Sequence, residues 1–147
     1  MLLYDMRWFV WSVFLLMLVL AACTRQSVYP APPVSGTDAV IDTAALTPDV
    51  PQFFTYQYQG RNISFFVISM DGKVVSFFDA CASCYKHKQG YRWEENGVTC
   101  RYCGMKFPIY KLEKGLGGCY PIRLEGRIAE GKYRIPLASL EAEAGKF

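Results

Sequence analysis

The chain has 147 residues, 52% of them hydrophobic, with 16 basic and 13 acidic side chains and a formal net charge of +3. That length holds one domain, or one small domain with a tail, and excludes a TIM barrel or a two-domain α/β enzyme. So mild a charge, without a basic stripe interleaved with aromatics, speaks against nucleic acid as a partner.

Residues 8–22 (WFVWSVFLLMLVLAA) carry no charge and account for much of the hydrophobic content. At 15 residues the run is short of the roughly 20 that a bilayer-spanning helix needs, and it reads as the apolar region of a signal peptide. Leu20-Ala21-Ala22-Cys23 resembles a bacterial lipobox. That resemblance implies cleavage after Ala22 and a lipid on Cys23, which would tether the rest of the chain to a membrane of the cell envelope, outside the cytoplasm. Residues 23–37 read as a flexible, proline-rich tether, because Pro30, Pro32 and Pro33 favour extended polyproline backbone. Fully extended, it would span on the order of 45 Å.

A folded domain is expected over residues 38–147. Phe53–Gln59 alternates as a strand does, Ile63–Met70 follows as a second strand, and Lys73–Phe78 as a third. Asp71-Gly72 between the last two is a strong hairpin signal. The meander runs into Asp79-Ala80-Cys81, so the first Cys-x-x-Cys hangs from a strand end. Another hairpin is expected around Gly97, between Tyr91–Glu94 and Val98–Arg101. Pro108, Gly115, Gly117, Gly118 and Pro121 break the next stretch into loops. Gly131–Ile135 reads as a late strand and Leu137–Ala144 as a short terminal helix. The fold class is therefore mainly β (α+β): a small antiparallel meander, an irregular cysteine-rich region and a short C-terminal helix. The central loops look too irregular to hold without a staple.

That staple is suggested by the cysteines. Of six, five lie in the body, in the pattern Cys81-x2-Cys84-x15-Cys100-x2-Cys103-x15-Cys119. Two Cys-x-x-Cys pairs at this spacing match a metal site. Each tight turn presents two sulfurs, and two turns close a tetrahedral four-sulfur site suited to zinc or iron. Gly104 after Cys103 lets the second turn adopt a positive φ. The competing readings are two disulfides with Cys119 left free, and a thiol–disulfide oxidoreductase. A disulfide across two residues constrains little of the unfolded chain. The oxidoreductase reading lacks a helix pattern after Cys84 and a βαβ crossover. Haem attachment would need a histidine directly after the second cysteine, and the single histidine, His87, lies three residues beyond Cys84. It reads as a solvated loop residue between Lys86 and Lys88. Met70 and Met105 could offer thioether to copper, but packing is the expected role of both. Residues 81–119 hold seven Lys or Arg against three Glu, a net of 7 − 3 = +4, which would favour ionised sulfur.

Four pieces of this region stand together: Phe78-Asp79-Ala80-Cys81-x2-Cys84, Gly90-Tyr91-Arg92, Cys100-x2-Cys103-Gly104 with Phe107-Pro108-Ile109, and Gly117-Gly118-Cys119 with Pro121. In this combination the chain, over roughly residues 38–142, resembles the FtrD-like family of membrane-associated iron–sulfur proteins. Tyr120 departs from the asparagine that the family pattern places there. The resemblance implies an iron–sulfur cluster or a single bound metal ion, held by Cys81, Cys84, Cys100, Cys103 and Cys119. It also implies a role in envelope electron transfer or iron uptake, with an iron permease or another electron carrier as partner. A structural zinc module is the alternative. No catalytic residue is expected.

Overall fold

Ile63–Met70 (ISFFVISM) is hydrophobic at nearly every position, and a strand of that kind must be covered on both faces. The computed structural model, which describes residues 27–114 and 118–147 together with Trp11, shows how. Its strands are β1 (Val34–Ser35), β2 (Asp38–Asp42), β3 (Gln52–Tyr58), β4 (Arg61–Met70), β5 (Lys73–Cys81), β6 (Tyr91–Glu94), β7 (Gly97–Cys100), β8 (Lys106–Pro108), β9 (Pro121–Leu124), β10 (Arg127–Ala129) and β11 (Lys132–Pro136). A short C-terminal α-helix, α1 (Leu137–Ala142), follows. The strands form three antiparallel sheets, ordered β1-β2-β11-β10, β3-β4-β5-β9 and β6-β7-β8.

The middle sheet is flanked by two cores. Ile63, Phe65 and Val67 of β4, with Phe78 and Ala80 of β5, pack against Ala39, Ile41, Tyr133 and Ile135 of the first sheet and Leu140 of α1. The alternate residues Phe66, Ile68 and Met70, with Val75, Phe77 and Cys81, pack against Tyr91, Val98, Cys100 and Phe107 of the third. The period of two along a strand thus sends successive β4 side chains into different cores. It also decides what β5 delivers: Phe78 and Ala80 face the first core, while Cys81 enters the second.

The expected meander is present. β3 pairs with β4 and β4 with β5, and Asp71 and Gly72 turn the second hairpin with φ of 50° and 72°. Both central residues need positive φ in such a turn, which is why Asp-Gly is its usual sequence. The stretch expected to be loop after Cys103 instead contains β8 and β9. Pro108 closes the first and Pro121 opens the second, positions where a missing N–H is tolerated.

Part of the proline-rich segment read as tether is packed on the domain. Thr55 N–H donates to the Pro30 carbonyl at 3.0 Å and Val40 N–H to the Pro33 carbonyl at 2.8 Å. Tyr29 stacks on Phe53, with 4.8 Å between ring centroids. Polyproline backbone leaves its carbonyls unpaired, so they are free to accept from a neighbouring strand. The ordered domain accordingly begins upstream of Asp38. The signal-peptide and lipobox readings, Cys23 included, lie outside the described residues, Trp11 excepted.

Candidate metal centre

Three separate segments supply the thiols. β5 ends at Cys81, which is buried, and the chain then turns tightly, Cys84 N–H donating to the Cys81 carbonyl at 3.1 Å. β7 ends at Cys100, also buried, in the matching turn: Gly104, at φ +72°, donates its N–H to the Cys100 carbonyl at 2.9 Å. The two turns are alike in a second respect. The N–H groups of Ser83 and Cys84 face the Cys81 sulfur, and those of Tyr102 and Cys103 face the Cys100 sulfur. Cys119 comes from the segment before β9, which is pinned to the first turn. Ala82 N–H donates to the Tyr120 carbonyl at 3.0 Å, and Ser83 Oγ to the Gly118 carbonyl.

All five sulfurs converge. Cys81, Cys84 and Cys100 form one group and Cys84, Cys103 and Cys119 another, the sulfurs of each lying within 4.8 Å of one another. Cys84 belongs to both. Cys81 and Cys119 sulfurs are 3.1 Å apart, and Cys103 and Cys119 sulfurs 3.6 Å. Four thiolates at about 2.3 Å around one tetrahedral ion would be separated by about 3.8 Å, so the spacing fits a metal-sized centre. The set runs from inside to outside: Cys81 and Cys100 are buried, Cys84 and Cys119 partly so, and Cys103 is exposed.

The thiols do not ionise alike. For Cys81, burial works upward, but the Cys119 thiol, the N–H groups of Ser83 and Cys84 and the Tyr91 hydroxyl outweigh it and bring the pKa down to about 7. Cys103 is also lowered: burial opposes, and the Met105 N–H and neighbouring thiols prevail. Cys119 is pushed up to about 12 by burial and by the Cys81 and Cys103 thiols. Cys84 is raised by burial and then by Cys103, and Cys100 mainly by burial. A few negative charges can form in the cluster, and the remaining protons stay until a cation compensates. Thiols and backbone N–H groups set this pattern. The lysines and arginines of the segment are all exposed.

A family model matches residues 47–147, described as membrane iron–sulfur containing protein, FtrD-like. The chain belongs to the FtrD-like family. No curated protein and no solved structure matches it. The family and the thiol cluster together point to binding of a metal or an iron–sulfur centre. The family is described as a membrane one, although among the described residues no helix is long and apolar enough to cross a bilayer.

The FtrD-like domain also uses residues that cysteine spacing does not reveal. Asp79, two residues before Cys81, is buried and accepts the Tyr91 N–H at 2.6 Å. Its carboxylate occupies the space beside Gly90 where a Cβ would stand, with Asp79 Cγ 2.7 Å from that point, and Gly90 has φ +66°. Arg101 closes the other side: its N–H donates to the Gly90 carbonyl at 3.0 Å and its Nε to the Tyr91 carbonyl at 2.9 Å. The Phe-Asp-Ala-Cys and Gly-Tyr-Arg pieces thus form one clamp that fixes the third sheet against β5. The available sequence signal was an acidic residue inside an otherwise apolar strand. His87 is not simply solvated: its ring stacks on Tyr102, centroids 3.5 Å apart and planes 7° from parallel, bracing one cysteine turn against the other. Met70 packs in the second core as expected, whereas Met105 is exposed.

Proposed function

We propose that this domain is an electron or iron carrier of the cell envelope, anchored through a lipid on Cys23, with its centre held by thiolates drawn from Cys81, Cys84, Cys100, Cys103 and Cys119. The observation that carries this reading is the convergence of five thiols on a centre with an open side. A structural zinc site is closed and needs four ligands. Here a fifth thiol is at hand and Cys103 is exposed, which suits a centre that exchanges electrons or metal with a partner. Each thiol-bearing segment also shows solvent a tyrosine next to a cysteine, namely Tyr85, Tyr102 and Tyr120. Aromatic side chains of this kind favour short-lived docking. An iron permease or a second envelope electron carrier is the partner this surface would serve. An iron–sulfur cluster or a single iron would supply one-electron chemistry, and zinc or copper would mark metal handling instead.

The test is metal and acid-labile sulfide analysis, with a visible spectrum, of the full chain purified in detergent without oxygen. Iron with a sulfur-to-iron charge-transfer band is the expected result. Serine at position 81, 84, 100 or 103 abolishes binding, and Cys119→Ser weakens it. A fully reduced protein that binds no metal would overturn the reading and leave the close Cys81–Cys119 pair as a thiol–disulfide site.

A further inference from the structure

We infer that Tyr91 is a built-in hydrogen-bond donor to the thiolate centre, its hydroxyl donating to the metal-bound sulfur of Cys81 from the buried side. The inference rests on the thiolate-centre reading above and deepens it.

Tyr91 is fully buried, and its Oη is a buried side-chain polar atom without a hydrogen-bond partner. No other such atom occurs among the described residues. A buried hydroxyl left unpaired is costly, and the cost calls for an explanation. The hydroxyl is not free to swing away. Phe66 and Phe107 meet the Tyr91 ring edge-on, at 6.2 and 6.0 Å between centroids. Asp79 and Arg101 hold its backbone on either side. Tyr91 packs in one buried cluster with Cys81 and Cys100, and Cys84 and Cys119 lie against that cluster. A tyrosine hydroxyl keeps its proton near neutral pH, so it is an O–H able to donate.

A neutral thiol is a weak acceptor, whereas a thiolate is a strong one. The hydroxyl is thus poorly paired beside a protonated Cys81 and well paired beside a metal thiolate. Cys81 already faces the N–H groups of Ser83 and Cys84, so a third donor makes it richer in donors than Cys100, which faces two. Donors of this kind draw negative charge off sulfur and tune both affinity and potential.

The experiment compares wild type with Tyr91→Phe, full chain, reduced, using Co²⁺ as probe. Co²⁺ is titrated against a competing chelator, the sulfur-to-cobalt charge-transfer band is recorded, and the metal-free proteins are melted. The variant should bind Co²⁺ on the order of tenfold more weakly. Its charge-transfer band should move to lower energy, because the sulfur becomes more electron-rich. Melted at mildly acidic pH, with the thiols protonated, the metal-free variant should match or exceed wild type in melting temperature, because an unpaired buried polar atom has been removed. Absence of either Co²⁺ signature, or a lower metal-free melting temperature, overturns the role of Tyr91 alone. Wild type that takes up no Co²⁺ overturns the thiolate centre, and this inference with it.

Discussion

Gly90 shows how closely single residues are specified around the sulfurs. Its φ is +66°, and the place of a side chain is filled by the Asp79 carboxylate. Gly90→Ala should cost about 2 kcal/mol or more, from left-handed backbone plus the clash, and a denaturant midpoint would measure it. A milder loss would mean that the clamp yields easily. The thiols make a second prediction. Cys84, Cys100 and Cys119 are all raised, so each keeps its proton near neutrality. Any four of the five cysteines include at least two of these three. Metal binding should therefore release about two protons or more, and affinity should climb as pH rises. Calorimetry in buffers of different ionisation enthalpy would count them. The two Cys-x-x-Cys turns were legible in the sequence because metal-binding turns have a fixed spacing, whereas Cys119 entered only through the family resemblance. Asp79 and Tyr91 were not, because no spacing rule links a tyrosine on one strand to a sulfur on another.

Among the elements, length and period decided what could be read. β3, β4 and β5 are long, apolar and joined by tight turns, and their pairing follows from sequence. β8, β9 and β10 have three or four residues each, too few to show a period, and two of them include a proline. β2 (DAVID) alternates over only five residues, and its partner β11 lies 90 positions downstream, Asp42 facing Lys132. The polyproline segment misled for a physical reason: composition reports backbone preference but not what the backbone rests on. A chain starting at Asp38 loses the Pro30, Pro33 and Tyr29 contacts. It also loses the Leu137 N–H bond to the Thr37 carbonyl and the pairing of β1 with β2; at about 1 kcal/mol for each of the four named hydrogen bonds alone, it should be at least about 4 kcal/mol less stable than one starting at Ser27, as urea unfolding would record. Equal stability would show that these contacts are superficial.

At the scale of the molecule, the two cores differ in what holds them. The first is built from apolar residues of two four-stranded sheets and α1. The second relies on a three-stranded sheet and includes Cys81 and Cys100, with Cys84 and Cys119 packed against it. A metal bound by those thiols therefore staples one half of the domain more than the other. Chelation should speed amide exchange in residues 91–108 and around Cys119 while leaving 61–70 and 132–136 protected, as mass spectrometry would resolve. Uniform loosening would mean that the domain behaves as one cooperative unit. The family match begins at residue 47, yet β1 and β2 precede it and complete the first sheet, so the folding unit is larger than the matched stretch.

The packed proline segment bears on how far this domain can travel. With Cys23 lipidated as proposed, six residue steps separate the bilayer from Tyr29, where packing on the domain begins, a leash of about 20 Å in place of about 45 Å. So short a mooring turns a three-dimensional search into one along the membrane plane. A partner embedded in the same bilayer would then meet the thiol centre at a high effective concentration, and even a weak contact would suffice for transfer.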